Sequence, residues 1–211
     1  MSAASRVVIV DYGLGNLLSV ARAVRAAGGE PEISSDPADV AGAERALLPG
    51  VGAFGDGIKG LRERGLVDPL RAYAKSGRPL LGICLGMQLL MDRSEEFGDH
   101  EGLGLVPGTV KRLPGGTGGL KLPHVGWSAL KPASPWPGTP LAGTAAGAEF
   151  YFVHSFAAVP SDPSHRLADC GYGENDFCAA LRRGSVVGCQ FHPEKSGPAG
   201  LDILKRFLEA S

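Results

Sequence analysis

Gly82-Ile83-Cys84-Leu85-Gly86 lies between a strand-like apolar run, Arg78 to Ile83, and a helix-like stretch, Leu85 to Asp92. The pattern G-x-C-x-G is the thiol counterpart of the nucleophile elbow, a sharp strand-to-helix turn whose flanking glycines avoid a Cβ clash. A helix N-terminus beneath the turn favours thiolate over thiol. The N–H of Leu85, the residue after the cysteine, is then placed to donate to an oxyanion. Free cysteine is also a common inert core residue, so the elbow needs a base to become chemistry. Gln190-Phe191-His192-Pro193-Glu194 follows the apolar run Val186-Val187-Gly188 and supplies one. A nucleophilic cysteine requires a base, and the base an orienting acceptor; His192 and Glu194 are of the right types for both roles. A third stretch, Pro49-Gly50-Val51-Gly52, ends another apolar run. Its glycines leave backbone N–H groups unobstructed, so Gly52 is a candidate second oxyanion donor.

These groups must be held by something rigid. In the first half, strand-like segments (Arg6 to Val10, Glu32 to Ser34, Ala46 to Leu48, Arg78 to Ile83) alternate with helical periodicity at Leu17 to Val24, Asp56 to Arg64 and Val67 to Lys75. That alternation predicts βαβ units and a parallel sheet. The second half reads as mostly strand: Gly108 to Leu113, Glu149 to Ser155, Arg166 to Cys170, Phe177 to Leu181 and Val186 to Gln190. An amphipathic helix closes the chain over Pro198 to Glu209, while Pro114–Gly119 and Lys131–Gly147 read as loops. The expected fold is α/β, an open and mostly parallel sheet flanked by helices with an antiparallel extension, with residues 1–211 as one domain. Asp11 to Asn16 also follows a strand, but it lacks the third glycine and the downstream acid of a dinucleotide fingerprint.

Composition narrows the classes. The 211 residues carry a formal charge of −1, which leaves no electrostatic footprint for nucleic acid. The apolar run Val7 to Val10 stops at Asp11, too short for a signal peptide or a membrane span. Cys84, Cys170, Cys178 and Cys189 show neither metal-ligand nor disulfide-scaffold spacing, so no metal or cofactor is expected. A cytoplasmic protein with reduced thiols fits these features.

Cys84–Gln88, His192–Glu194 and the Pro49–Gly52 segment together resemble the class I, or triad, glutamine amidotransferases. Further blocks at Asp11–Leu17, Pro49–Phe54, Gly82–Leu90, Pro123–Trp127, Tyr151–Phe156 and Gln190–Ser196 are similar to the glutaminase subunits of imidazole glycerol phosphate synthase. The resemblance implies an enzyme that hydrolyses L-glutamine to glutamate and ammonia with Cys84, His192 and Glu194 as the triad. It also implies glutamine binding by Gln88, Glu96, Gly50 and Gly52; Glu96 is matched by spacing alone, with Glu95 as its adjacent rival. The implied partner is a (β/α)8-barrel synthase subunit, forming a heterodimer that acts as a lyase in histidine biosynthesis. That family usually reads Gly-Trp-Asn where this chain has Gly126-Trp127-Ser128, a departure that bears on one partner contact. Other triad amidotransferases, thiol hydrolases on a related sheet and a non-catalytic scaffold remain as rivals.

Overall fold

The computed structural model describes residues 5–115, 121–145 and 147–210. The first half holds β1 (Arg6–Val10), α1 (Leu17–Ala26), β2 (Glu30–Ser34), α2 (Pro37–Gly42), β3 (Arg45–Gly50), α3 (Phe54–Glu63) and α4 (Val67–Lys75). Then come β4 (Leu80–Cys84), α5 (Leu85–Leu89), β5 (Met91–Ser94), β6 (His100–Glu101) and β7 (Val106–Arg112). The second half adds β8 (His124–Pro132), β9 (Glu149–His154), β10 (Phe156–Pro160), β11 (Arg166–Tyr172), β12 (Asn175–Arg183), β13 (Val186–Cys189) and α6 (Gly197–Glu209).

Nine strands form one sheet in the order β2-β1-β3-β4-β13-β12-β11-β8-β9. The pairings from β2 through β13 are parallel, and those from β13 through β9 are antiparallel. The antiparallel extension is therefore as large as the parallel part. A second sheet runs β10-β7-β5-β6.

The apolar strands in the parallel part bury both faces, as helices on each side demand. In β1, Val7 and Ile9 join the core beneath α1 and α6, while Val8 and Val10 join the core beneath α3, α4 and α5. The far edge of the sheet returns to its centre: the Tyr151 carbonyl of β9 accepts from the His192 N–H just beyond β13, at 2.9 Å. Consequently the carboxyl ends of β1, β3, β4 and β13 and the strand β9 all border one place. Ligand sites form outside such carboxyl ends in open α/β sheets.

Several elements differ from the sequence expectation. The helix expected over Leu85 to Asp92 ends at Leu89, because its last carbonyls are captured from outside. Leu103 N–H donates to Leu89 O at 2.9 Å and Val106 N–H to Leu90 O at 3.0 Å, so Met91–Ser94 leaves as strand β5. Lys131 and Pro132, expected in a loop, end strand β8, which pairs with β9 over His124–Ala129 and with β11 over Leu130–Pro132. Residues 133–145 do form turns, pinned by the Trp136 indole N–H on Leu167 O at 2.9 Å. The expected Pro114–Gly119 loop falls mostly outside the described residues, as does residue 146 within the second loop.

Candidate active site

Cys84 ends β4 and caps α5 with φ 54° and ψ −108°. Apart from glycines, only Cys84 and Phe97 have positive φ among the described residues. Such a conformation costs on the order of 1–3 kcal/mol and persists only where the surroundings enforce it. Here they do: a Cβ on Gly86 would overlap the Leu48 carbonyl of β3, so glycine lets the elbow press against the neighbouring strand. The helix behind the thiol is shorter than expected. With five residues, α5 contributes local N–H groups near Leu85 rather than a long aligned dipole.

His192 and Glu194 stand just past the carboxyl end of β13, the strand beside β4. Their side chains are about 2% exposed, with His192 Nδ1 2.7 Å from Glu194 Oε1. An ionised carboxylate only accepts, so Nδ1 carries the hydrogen and Nε2 is left to act. Nε2 is buried and makes no hydrogen bond of ordinary length among the described residues. Burial pulls the His192 pKa down, but the adjacent Cys84 sulfur and the Glu194 carboxylate outweigh it and raise it to about 9. A buried imidazole held protonated between a sulfur and a carboxylate can hand a proton to a leaving group and take it back.

The Pro49–Gly52 segment lies alongside, with Gly50 paired in register to Cys84. A Cβ on Gly50 would overlap the Tyr12 hydroxyl, so only glycine fits there. Gly52 has φ 133°, and Val51 between the two glycines is 45% exposed. The structure thus brings together Cys84, Leu85, His192, Glu194 and Gly50, with Gly52 two residues beyond Gly50. Gln88 lies behind them, 5% exposed. Its Nε2 donates to Phe156 O at 2.9 Å and to Gln190 Oε1 at 3.0 Å, which leaves Oε1 as the group it can offer a substrate. Glu96 accepts from the Phe54 N–H at 2.7 Å, at the exit of the Gly50–Gly52 segment. Its rival Glu95 turns away to Lys111, 3.8 Å distant.

Two further groups at this site were given no role by the sequence reading. The Tyr12 hydroxyl is buried without a partner among the described residues, and burial together with the nearby Cys84 sulfur holds its phenol well above the ordinary tyrosine range. Gln190 is fully buried, with Nε2 3.6 Å from Cys84 Sγ. Both sit in motifs quoted from the sequence. The usable signal was a polar residue, Gln190, inside an apolar run that ends a strand.

Comparison with known proteins points to one family. The class I glutamine amidotransferase family matches residues 8–210. An imidazole glycerol phosphate synthase subunit HisH of Legionella pneumophila is 48% identical over 97% of this chain and 99% of its own length. The HisH subunit of Rhodopirellula baltica is also 48% identical, over 97% of both chains. That of Moorella thermoacetica is 46% identical over 96% of this chain and 94% of its own. Among solved structures, a crystal structure of a glutamine amidotransferase matches with TM-score 0.74 at 20% identity, covering 97% of each chain. PurLQS from Thermotoga maritima matches with TM-score 0.73 at 20% identity, covering 98% of each, and these two speak to the fold alone. The chain belongs to the class I glutamine amidotransferases and, within them, to the family of imidazole glycerol phosphate synthase HisH subunits.

Proposed function

We propose that this chain is the glutaminase subunit of imidazole glycerol phosphate synthase, with residues 1–211 as one amidotransferase domain. The observation that carries the reading is the strained Cys84 beside a buried His192–Glu194 pair. In this reading the Cys84 thiolate attacks the side-chain carbonyl carbon of glutamine, and the oxyanion receives N–H groups from Leu85 and Gly52. The C–N bond breaks as His192 gives its proton to the nitrogen, releasing ammonia and leaving a thioester on Cys84. Water then attacks the thioester carbon, His192 takes its proton, and glutamate leaves with the sulfur restored. Glu194 orients the imidazole throughout. The Gln88 Oε1, Glu96 and the backbone of Gly50 and Gly52 hold the amino-acid end of glutamine.

Ammonia passes to a synthase subunit with a (β/α)8-barrel fold, which makes imidazole glycerol phosphate and aminoimidazole carboxamide ribotide. Support for a partner at this end comes from β8, where Val125 and Trp127 are 56% and 52% exposed. The Trp127 ring lies 6.0 Å from that of Tyr151, itself 6.4 Å from the His192 ring, so exposed aromatic surface reaches the triad. Exposed apolar and aromatic side chains of this kind favour interfaces. Among the described residues no helix is long and apolar enough to cross a membrane. The four cysteines are free and buried, and the reading places the enzyme in the cytoplasm.

Glutamate release from glutamine tests this, using the chain alone, with the synthase subunit, and with that subunit plus its nucleotide ligand. Release should rise with partner and ligand and fall to background in Cys84→Ala. Undiminished release from Cys84→Ala would overturn the nucleophile, and a partner without effect would overturn the assembly.

A further inference from the structure

The mechanism above leaves a fully buried polar side chain beside Cys84 unused. Gln190 is 0% exposed and directly follows the buried residues of β13. An amide buried in such surroundings is costly unless its hydrogen bonds are made. Its orientation follows from a fixed point in the backbone. The Phe156 carbonyl can only accept, so the Gln88 atom 2.9 Å from it is the amide nitrogen. That same nitrogen is 3.0 Å from Gln190 and meets the oxygen of its amide. The Gln190 NH2 group is therefore turned the other way, 3.6 Å from Cys84 Sγ, within hydrogen-bonding range for sulfur.

From this geometry we infer that Gln190 is a further catalytic residue, whose amide N–H donates to the Cys84 sulfur and holds the thiolate for attack. The inference rests on the reading of Cys84 as nucleophile. Cys84 is only 6% exposed, so its sulfur has little water to stabilise a charge, and the five-residue α5 behind it supplies little dipole. His192 approaches from one side, and Gln190 supplies a second, neutral donor that stays in place when His192 gives its proton away. Gln88 acts here as the positioning residue, because its amide fixes which end of Gln190 faces the sulfur. Tyr12, Cys189 and Glu194 also lie near enough to act on this cluster electrostatically.

The test is site-resolved alkylation of Cys84 by iodoacetamide across pH in the full chain bound to its synthase subunit, beside kcat and KM for glutamine. Gln190→Met should slow alkylation at neutral pH about tenfold and move the midpoint of the profile up by about one pH unit. The turnover number should fall in parallel, with KM within about twofold of the parent. Gln190→Asn, which keeps the amide but draws it back by one methylene, should shift the profile the same way; it carries the test if Gln190→Met does not fold. An unmoved midpoint in a folded variant would reduce Gln190 to packing, and a raised KM at unchanged kcat would reassign it to substrate binding. Failure of the underlying reading looks different: complete alkylation of Cys84 would then leave glutamine turnover intact.

Discussion

His192 and His154 are both buried, at 1% and 6% exposure, yet their imidazoles are held in opposite states. His192 is raised to about 9, whereas burial, aided by His124 and His192 and opposed by the Phe156 carbonyl, lowers His154 to about 3. The partners make the difference. His192 Nδ1 meets a carboxylate at 2.7 Å and its other side faces a sulfur, both able to carry negative charge. His154 Nδ1 meets the Phe156 carbonyl at 2.8 Å, and its Nε2 meets His124 Nδ1 at 3.2 Å, both neutral. Since a carbonyl only accepts, His154 Nδ1 carries the hydrogen and its Nε2 accepts from His124. His124, lowered by its own burial, then accepts at Nε2 from the Ser128 hydroxyl at 3.1 Å. The result is a directed chain from Ser128 to the Phe156 carbonyl, the same carbonyl that orients Gln88. In the proposed mechanism one histidine site moves a proton, while the other braces the amides behind the sulfur. Burial alone makes an imidazole neutral; an adjacent anion makes it a base.

Glu194→Gln is the strongest way to break that contrast. Glutamine still accepts from Nδ1 but removes the charge, so His192 becomes electrostatically similar to His154. The turnover number should fall on the order of 10²–10³-fold, with KM little changed. An NMR titration should show the His192 pKa falling well below its present value of about 9. A His192 still titrating near that value would assign its elevation to the sulfur alone.

The same contrast should appear in stability. A histidine raised from 6.5 to about 9 contributes stability that is full below pH 6.5 and lost as pH rises through about 9. A histidine lowered to about 3 contributes stability present above pH 6.5 and lost as pH falls through about 3. Each contribution is on the order of a few kcal/mol, so together they favour the folded state most near pH 6.5. His154→Leu should remove the acid-side loss while leaving the alkaline side and the pH–rate profile in place. It should cost about 1–3 kcal/mol at neutral pH, since it strands the His124 N–H in the core. Urea unfolding across pH reads both effects; a flattened alkaline limb in this variant would mean the two sites are one electrostatic unit.

How much of this the sequence shows depends on whether a feature is local. The elbow at Cys84 and the His192–Glu194 pair are legible because residue types at fixed short spacing carry the chemistry, and the parallel strands because both faces are apolar. Helix α2 carries a local signal of another kind than apolar periodicity: Asp36 accepts from the Ala38 N–H and Pro37 follows it, an N-cap and a first-turn proline. Strands β5 and β10 were hidden differently. Met91 continues the apolar run of α5, and β10 is separated from β9 by Ser155 alone, so neither has a boundary that periodicity can detect. The roles of Gln190 and His154 are not local. Gln190 is set by Gln88 and His154 by His124, and no spacing rule encodes such meetings.

The outer end of the histidine chain offers the smallest test and decides what Ser128 is for. This serine stands where the family usually has asparagine, and its hydroxyl is turned toward His124. If it serves only to complete the chain, Ser128→Ala removes one hydrogen bond at a half-buried position. Only one hydrogen bond between neutral groups is lost, so the loss should be about 0.5–1.5 kcal/mol. Because the Phe156 carbonyl keeps both His154 and Gln88, glutaminase activity and its stimulation by the synthase subunit should stay within about twofold. Exposed neighbours on the same strand, Val125 and Trp127, allow the opposite result. A loss of stimulation greater than tenfold with stability unchanged would place Ser128 at the partner contact. The neutral histidine pair would then be coupled to assembly as well as to the amides behind Cys84.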